Sequence, residues 1–488
     1  RQLLDFEGSQ MRLLQKSFVA FLVIAANAPL FAGTTVASSD RQAYPNILII
    51  LVDDLGWHDV GYHNPTIGTP HIDELADSGV RLDQFYANPT WSPSRASLLT
   101  GLFSRSHGVH APVTHTSEKG LPVELPLLPQ FLSKVGYSTH LVGKWHLGWR
   151  DPRLLPTARG FDSFYGHLNG GIGYFDHVFS GGLDWQRNGV TIREDGHASS
   201  LLAAEARRII EAQPTKQPFF MLLAFNAPHT PLEEPDGSGR GHSGRETLVR
   251  MIGHLDSEIG SVLNVIDRKG LREDTLIMFV SDNGGSAPKP WLLEFLIPPL
   301  RDGYSDNGPL RQGKGSVFEG GIRVPSVVSW PGTITGASIN RSPLHLADVM
   351  PTLLDMLDIE IGAVDGESFL QVLRGDVKSR EQPIHVSIAG SRAMIDWPWK
   401  VVQEASLPIL PKLLQRDSWY LFNLENDEGE LNDLSKEAPE VLRQMRERLE
   451  YQPTRNEVVF DMNQPWDTFG GEETREPWAE VTLYPPEK

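Results

Sequence analysis

Residues 46–54 read Asn-Ile-Leu-Ile-Ile-Leu-Val-Asp-Asp. The run from Asn46 to Val52 is almost continuously apolar and rich in β-branched side chains, the pattern of a strand buried on both faces of a mostly parallel sheet. It stops at Asp53-Asp54, and adjacent carboxylates at a strand's end are costly unless a cation or solvent meets them. In isolation such a pair is most simply a solvated loop. Three further apolar runs end in the same manner. Tyr137 to Val142 leads into Gly143-Lys144-Trp145-His146, Phe219 to Phe225 into Asn226-Ala227-Pro228-His229, and Leu276 to Val280 into Ser281-Asp282-Asn283-Gly284. Parallel strands would bring all four exits to one sheet edge, where open α/β sheets hold their ligands.

Outward from these runs, Ser200 to Ala212 and Leu248 to Lys269 repeat apolar residues at helical spacing and read as helices packed on the sheet. His345 to Asp358 reads as a late helix of the same domain. From about Glu381 the pattern shifts to shorter strand-like pieces, Ala393 to Val402 and Ser418 to Leu424, followed by a charged helix from Pro439 to Tyr451. The expectation is an α/β domain over residues 44–380 and a smaller C-terminal subdomain over 381–488, an antiparallel sheet with one helix.

The stretch Asn88 to Gly101 reads Asn-Pro-Thr-Trp-Ser-Pro-Ser-Arg-Ala-Ser-Leu-Leu-Thr-Gly. Ser92 is a good N-cap, Pro93 suits a first helical position and Gly101 can close the helix. Residue 91 is therefore expected just off a helix N-terminus, where free N–H groups favour an anion such as sulfate or phosphate. From Pro93 to Gly101 the stretch resembles the sulfatase signature. With Asp53-Asp54, Gly143 to Gly148, Pro228-His229, Asp282 to Gly285 and Lys314 in the glycine-rich segment Asn307 to Pro325, the resemblance extends from Tyr44 to Leu434. It is nearest to the arylsulfatase B-like group.

The resemblance implies the alkaline-phosphatase-like sulfatase fold, with a large mixed, mostly parallel sheet flanked by helices. It also implies a divalent cation held by Asp53, Asp54, Asp282 and Asn283. Oxygen-only ligands of this kind suit Ca²⁺ or Mg²⁺ rather than zinc, and flexible ligation favours Ca²⁺. By match of motif, Lys144 and Lys314 would hold sulfate oxygens, Arg95 would orient the nucleophile, His229 would protonate the leaving oxygen and His146 would act as the base that releases sulfate. The family nucleophile is a formylglycine made from Cys or Ser, but this chain has Trp91 at that position and no cysteine anywhere. An indole has one N–H donor and no nucleophilic oxygen. Ser92 offers a shifted hydroxyl, although capping already explains it. His58, His107 and His110 are candidates for the substrate entrance.

Composition bounds the partners. A net charge of -18 argues against a nucleic-acid surface, while leaving room for a local basic pocket. Met11 opens a segment with Arg12 and Lys16, an apolar run from Phe18 to Ala26 and small residues up to Ala32, which reads as a signal peptide over 11–32 behind upstream residues 1–10. Export without cysteine points to a bacterial periplasmic or extracellular protein with no membrane span once the signal is removed. Three functions stay open. The first is a hydrolase releasing inorganic sulfate from an aryl or carbohydrate sulfate ester. The others are an inactive relative that binds sulfated glycans, and a phosphate or phosphonate ester hydrolase of the same superfamily.

Overall fold

Strand β1 (Asn46–Val52) is buried along its whole length because its two faces enter different cores. Ile47, Ile49 and Leu51 pack into one, Leu48, Ile50 and Val52 into the other. The computed structural model describes residues 44–450 except 215, 239–243, 288–302, 335, 377–379, 389 and 406–417, together with 476–477. The expected upstream residues 1–10 and signal peptide 11–32 lie outside the described residues, as do 451–475 and 478–488 of the expected C-terminal subdomain.

Beyond β1 come α1 (Pro70–Ser78), β2 (Val80–Leu82), α2 (Trp91–Thr100), β3 (Ser138–Lys144), β4 (Ser163–His167), β5 (Gln186–Arg187) and β6 (Val190–Thr191). They are followed by α3 (Ala198–Ala212), β7 (Phe219–Ala224), α4 (Arg245–Arg268), β8 (Thr275–Ser281), β9 (Ser326–Ser329), β10 (Ser338–Asn340) and α5 (Val349–Met356). Ten strands form one sheet in the order β10-β2-β9-β8-β1-β7-β3-β4-β5-β6. Its centre is parallel: β8, β1, β7, β3 and β4 all run the same way. Antiparallel β9 and β5 lie on either side of that block. Helices α1, α3 and α4 cover one face, while α2 and α5 cover the other. The four apolar runs therefore do end on one edge, and all lie in the parallel block.

Two local readings are corrected. Ala393 to Val402 is not one strand: the C-terminal sheet consists of β11 (Ile384–Ile388), β12 (Ser391–Asp396), β13 (Trp399–Glu404) and β14 (Ser418–Asn423), all antiparallel, and the chain turns at Trp397-Pro398. Proline has no N–H for a ladder and is pushed to strand ends. The late helix is shorter than His345 to Asp358, with a 3₁₀ turn over Leu346–Asp348 preceding α5. One face of the C-terminal sheet packs on Tyr86, Phe103 and Phe318 of the large domain. The other receives Met445 and Leu449 of α6 (Pro439–Glu450).

Candidate active site

The edge at the carboxyl ends of β1, β7, β3 and β8 carries the titratable residues, and α2 points its N-terminus at the same place. Asp53 and Asp54 leave β1, and Asp54 adopts φ 66°. A non-glycine residue in the left-handed region is uncommon and clusters at sites where a side chain must be aimed. His146, beyond β3, has φ 59° for the same reason. Asn283 Nδ2 donates to Asp54 Oδ1 at 2.7 Å, and the Asp54 backbone N–H lies 3.4 Å from Asp282 Oδ1. The Lys144 ammonium is 2.5 Å from Asp53 Oδ2, and that of Lys314 lies against Asp54 Oδ2. Arg95 grips Asp282 Oδ2 through Nε (3.1 Å) and Nη2 (2.8 Å), and donates through Nη1 to the Lys144 carbonyl at 2.8 Å. Asp53, Asp54, Asp282, Asn283, Arg95, Lys144, His146 and His229 are all buried.

This many charges out of water shift one another. Burial and the neighbouring Asp53 raise Asp282 to about 6 despite Arg95. Burial also works against the Asp54 carboxylate, yet Lys314 and His229 outweigh it and hold Asp54 at about 2. Burial, then Lys314, pushes His229 down to about 3, and burial with Lys144 and Arg95 holds His146 well below the usual imidazole range. Both imidazoles are neutral near pH 7.

The donor set fits a hard divalent cation. Asp53 Oδ1 and Asn283 Oδ1 are buried without a hydrogen-bond partner, and such orphans are rare unless something else meets them. Ligand atoms of Asp53, Asp54 and His229 lie within 4.8 Å of one another, which brings a histidine into a group expected to be all oxygen.

Trp91 stands in the middle. Its indole N–H donates to His146 Nε2 at 3.1 Å, its ring stacks on His146 with centroids 5.6 Å apart, and it meets His229 edge-on at 5.5 Å. Lys314 Nζ lies 3.7 Å from the indole centroid and Lys144 Nζ 5.1 Å. Each ammonium is within range of a cation–π contact. The indole thus occupies the space between the two lysines, where the resemblance places the sulfuryl group.

Other predicted residues separate. Trp91 is the first residue of α2, behind Thr90, so Ser92 is not the N-cap. Its hydroxyl instead donates to the His146 carbonyl at 2.9 Å and accepts from the Val113 N–H at 3.0 Å, leaving the shifted-nucleophile reading without a free hydroxyl. Gly101 does close the helix, at φ 71°. His107 is fully buried against Ser97 and the Val109 N–H, away from any entrance. His58 is part-exposed and paired with Asp306 at 2.9 Å. Sequence reasoning missed Tyr174, whose hydroxyl donates to the carbonyls of His229 (2.8 Å) and Asn226 (3.2 Å) and so braces the His229 loop. No local pattern marks it.

Comparison with known proteins decides the family. Residues 45–359 match the sulfatase family profile, and residues 312–455 match that of the N-sulphoglucosamine sulphohydrolase C-terminal region. The chain belongs to the sulfatase family. It is 32% identical to mouse arylsulfatase J over 67% of this chain, a match that spans only 54% of that relative. Human N-acetylgalactosamine-6-sulfatase is 33% identical over 69% of this chain and 67% of its own. Among solved structures, Ps i-CgsB in complex with k-i-k-neocarrahexaose superposes with a TM-score of 0.73 at 29% identity, covering 85% of this chain and 94% of that one. The PsFucS1 sulfatase from Pseudoalteromonas sp. gives 0.67 at 27% identity, over 83% and 89%. The sulfatase fold is therefore as the resemblance implied. Among the described residues, no helix is long and apolar enough to cross a membrane.

Proposed function

We propose that this sulfatase-family centre is built to hydrolyse a sulfate ester of a carbohydrate or aryl alcohol, and that Trp91 withholds turnover from the chain as encoded. The observation that supports this reading is the closure of the predicted cations and imidazoles around residue 91, the one position that has lost its chemistry. Export to the periplasm or the outside of a bacterial cell, and the division into a domain over 44–380 and a subdomain over 381–488, belong to the same proposal.

Asp53, Asp54, Asp282 and Asn283 would hold the metal, with Ca²⁺ favoured over Mg²⁺ by an oxygen-rich, flexible ligand set. When bound, the cation supplies positive charge that stabilises the sulfuryl oxygens. Lys144 and Lys314 bind the remaining sulfuryl oxygens; each already points a single charge at the space Trp91 fills. Arg95, fixed between Asp282 and the Lys144 carbonyl, holds the start of α2 and orients the side chain at position 91. His146 Nε2 sits within hydrogen-bond reach of that side chain, the place from which a neutral imidazole accepts a proton. His229 keeps its proton poorly while Lys314 faces it. Burial, the larger cause of that depression, persists, but a bound sulfate that neutralises Lys314 removes the second and favours a proton on His229 for the leaving oxygen.

The second reading, binding of sulfated glycans without turnover, is favoured by how completely the indole is accommodated: its N–H is bonded and both lysines face its ring. One experiment separates the readings. Trp91→Cys is expressed with a formylglycine-generating enzyme and assayed on aryl sulfate and aryl phosphate beside the unaltered chain. Sulfate turnover in the variant alone is expected. Turnover of the phosphate ester alone assigns the centre to phosphate chemistry, and a matured variant that turns over neither ester overturns the hydrolase reading.

A further inference from the structure

We propose that Asn307 is the positioning residue that fixes Lys314 against the anion pocket, a role that rests on the sulfate-ester reading above. Lys314 lies on a turn with no helix or strand of its own, so its ammonium is only as well placed as the turn. Two backbone bonds hold it: the Lys314 N–H donates to the Gly285 carbonyl at 3.0 Å, and the Gly315 N–H to the Pro89 carbonyl at 2.8 Å. The turn is thereby pinned between the chain leaving β8 and the residues entering α2.

Asn307 stitches the first of these seams. Its side chain is buried at 5% exposure, its Oδ1 accepts from the Gly285 N–H at 3.0 Å, and its Nδ2 donates to the carbonyls of Gly285 and Gln312, both at 3.1 Å. One carboxamide thus pairs both backbone groups of Gly285, as a neighbouring strand would, and also reaches the far arm of the turn. Gly285 stands just past Asp282 and Asn283, so a single side chain links the segment presenting two candidate metal ligands to the turn presenting Lys314.

The seam has little slack. Gln312 is in the left-handed region at φ 62°, and its carbonyl is one of the two that Asn307 holds. A Cβ on Gly313 would lie 2.5 Å from the Gly285 carbonyl oxygen and 2.8 Å from Asn307 Nδ2. Only a glycine at 313 lets the two backbones approach this closely. Substituting Asp for Asn307 keeps the shape but replaces the Nδ2 donor with an oxygen facing two carbonyl oxygens, which pushes the turn away. The misplacement is carried to the end of a four-carbon stem, and in catalysis a misplacement of about 1 Å can cost about 100-fold in rate.

The test uses inorganic sulfate as probe and Trp91→Gly as parent, because the indole fills the pocket in the unaltered chain. Sulfate affinity is read from the rise in melting temperature with sulfate concentration. Adding Asn307→Asp, or the milder Asn307→Ser if the first fails to fold, is expected to weaken sulfate binding at least about tenfold. Lys314→Met is expected to weaken it similarly. Combining the two changes should add nothing further, since Asn307 acts only through Lys314. Unchanged sulfate affinity in the Asn307 variants, or a loss that adds in full to that of Lys314→Met, overturns the assignment. A Trp91→Gly parent that fails to respond to sulfate overturns the sulfate reading itself, and this assignment with it.

Discussion

The segment carrying Lys314 and Glu319 joins two buried ionic clusters that differ in how their acceptors are met. At the active-site end, Lys314, Lys144 and Arg95 face Asp54, Asp53 and Asp282. At the other end, Lys400 of the C-terminal sheet lies 2.9 Å from Glu319 Oε1 and 2.7 Å from Glu430 Oε1, all three residues almost wholly buried. Glu319 Oε2 accepts from the Tyr86 hydroxyl at 3.1 Å, and Glu430 Oε2 accepts from the Glu319 N–H at 2.6 Å. Every carboxylate oxygen in that second cluster has a donor or a cation beside it. Glu430 Oε1 is met by the Lys400 ammonium alone, whereas in the first cluster Asp53 Oδ1 and Asn283 Oδ1 accept no hydrogen bond and Asn283 has no charge of its own. A buried ion pair whose carboxylate oxygens each face a donor or a cation suits a structural joint, whereas acceptors left without either leave room for a ligand.

The sharpest way to break this contrast is to remove one cation from each cluster. Lys400→Met takes the Lys400 ammonium from Glu430 and leaves Glu319 only the more distant Arg323, at 3.9 Å, and is expected to cost about 3–5 kcal/mol in urea unfolding relative to the unaltered chain, with or without calcium. A cost under about 1 kcal/mol would mean the joint is not what holds the C-terminal sheet. Lys144→Met is expected to cost as much in chelator but less with Ca²⁺ present, because losing the ammonium beside Asp53 tightens Ca²⁺ binding; each tenfold tightening narrows the cost relative to the unaltered chain by about 1.4 kcal/mol at saturating Ca²⁺. A cost relative to the unaltered chain that changes with Ca²⁺ to the same extent in both variants erases the distinction.

The last test of the contrast is one of pH. Burial raises Glu430 from an ordinary 4.5 to about 7, in spite of Lys400. Between those values the folded protein holds a proton that the unfolded chain has lost. The stability contributed is therefore complete below the unfolded value and declines as pH rises toward the folded one, by up to about 1.4 kcal/mol per pH unit. Glu430→Gln should flatten the profile over that window, as measured by urea midpoints. Parallel profiles in the two proteins would place the titration elsewhere.

How far the site was legible follows from what each residue depends on. Asp53, Asp54, Lys144, His146, His229, Asp282 and Asn283 stand at the ends of apolar runs, and the parallel order β8-β1-β7-β3 brings those ends together as expected. The short helix after Trp91 and its glycine stop were likewise visible. Ser92 was misread because a serine before a proline satisfies the local rule for a cap, whereas its hydroxyl is taken by His146 and Val113 from other loops. The turn at Trp397-Pro398 was overlooked inside a run that is apolar on both sides of it. Tyr174 and Asn307 were invisible as functional residues because their partners, His229 and Gly285, are fixed by tertiary packing rather than by neighbouring sequence.

By itself, then, the sequence determined a buried parallel sheet, the chemistry waiting at its strand ends and the absence of a nucleophile at residue 91, since hydrophobic periodicity and residue type are local properties of the chain. Only the tertiary structure decided that Asp54 meets Asp282 across 228 residues, that the indole of Trp91 lies between Lys144 and Lys314, and that Asp53 Oδ1 and Asn283 Oδ1 are buried without a hydrogen bond. Those outcomes depend on strand order, register and the water excluded between elements, and none of these is written in any single stretch of the chain.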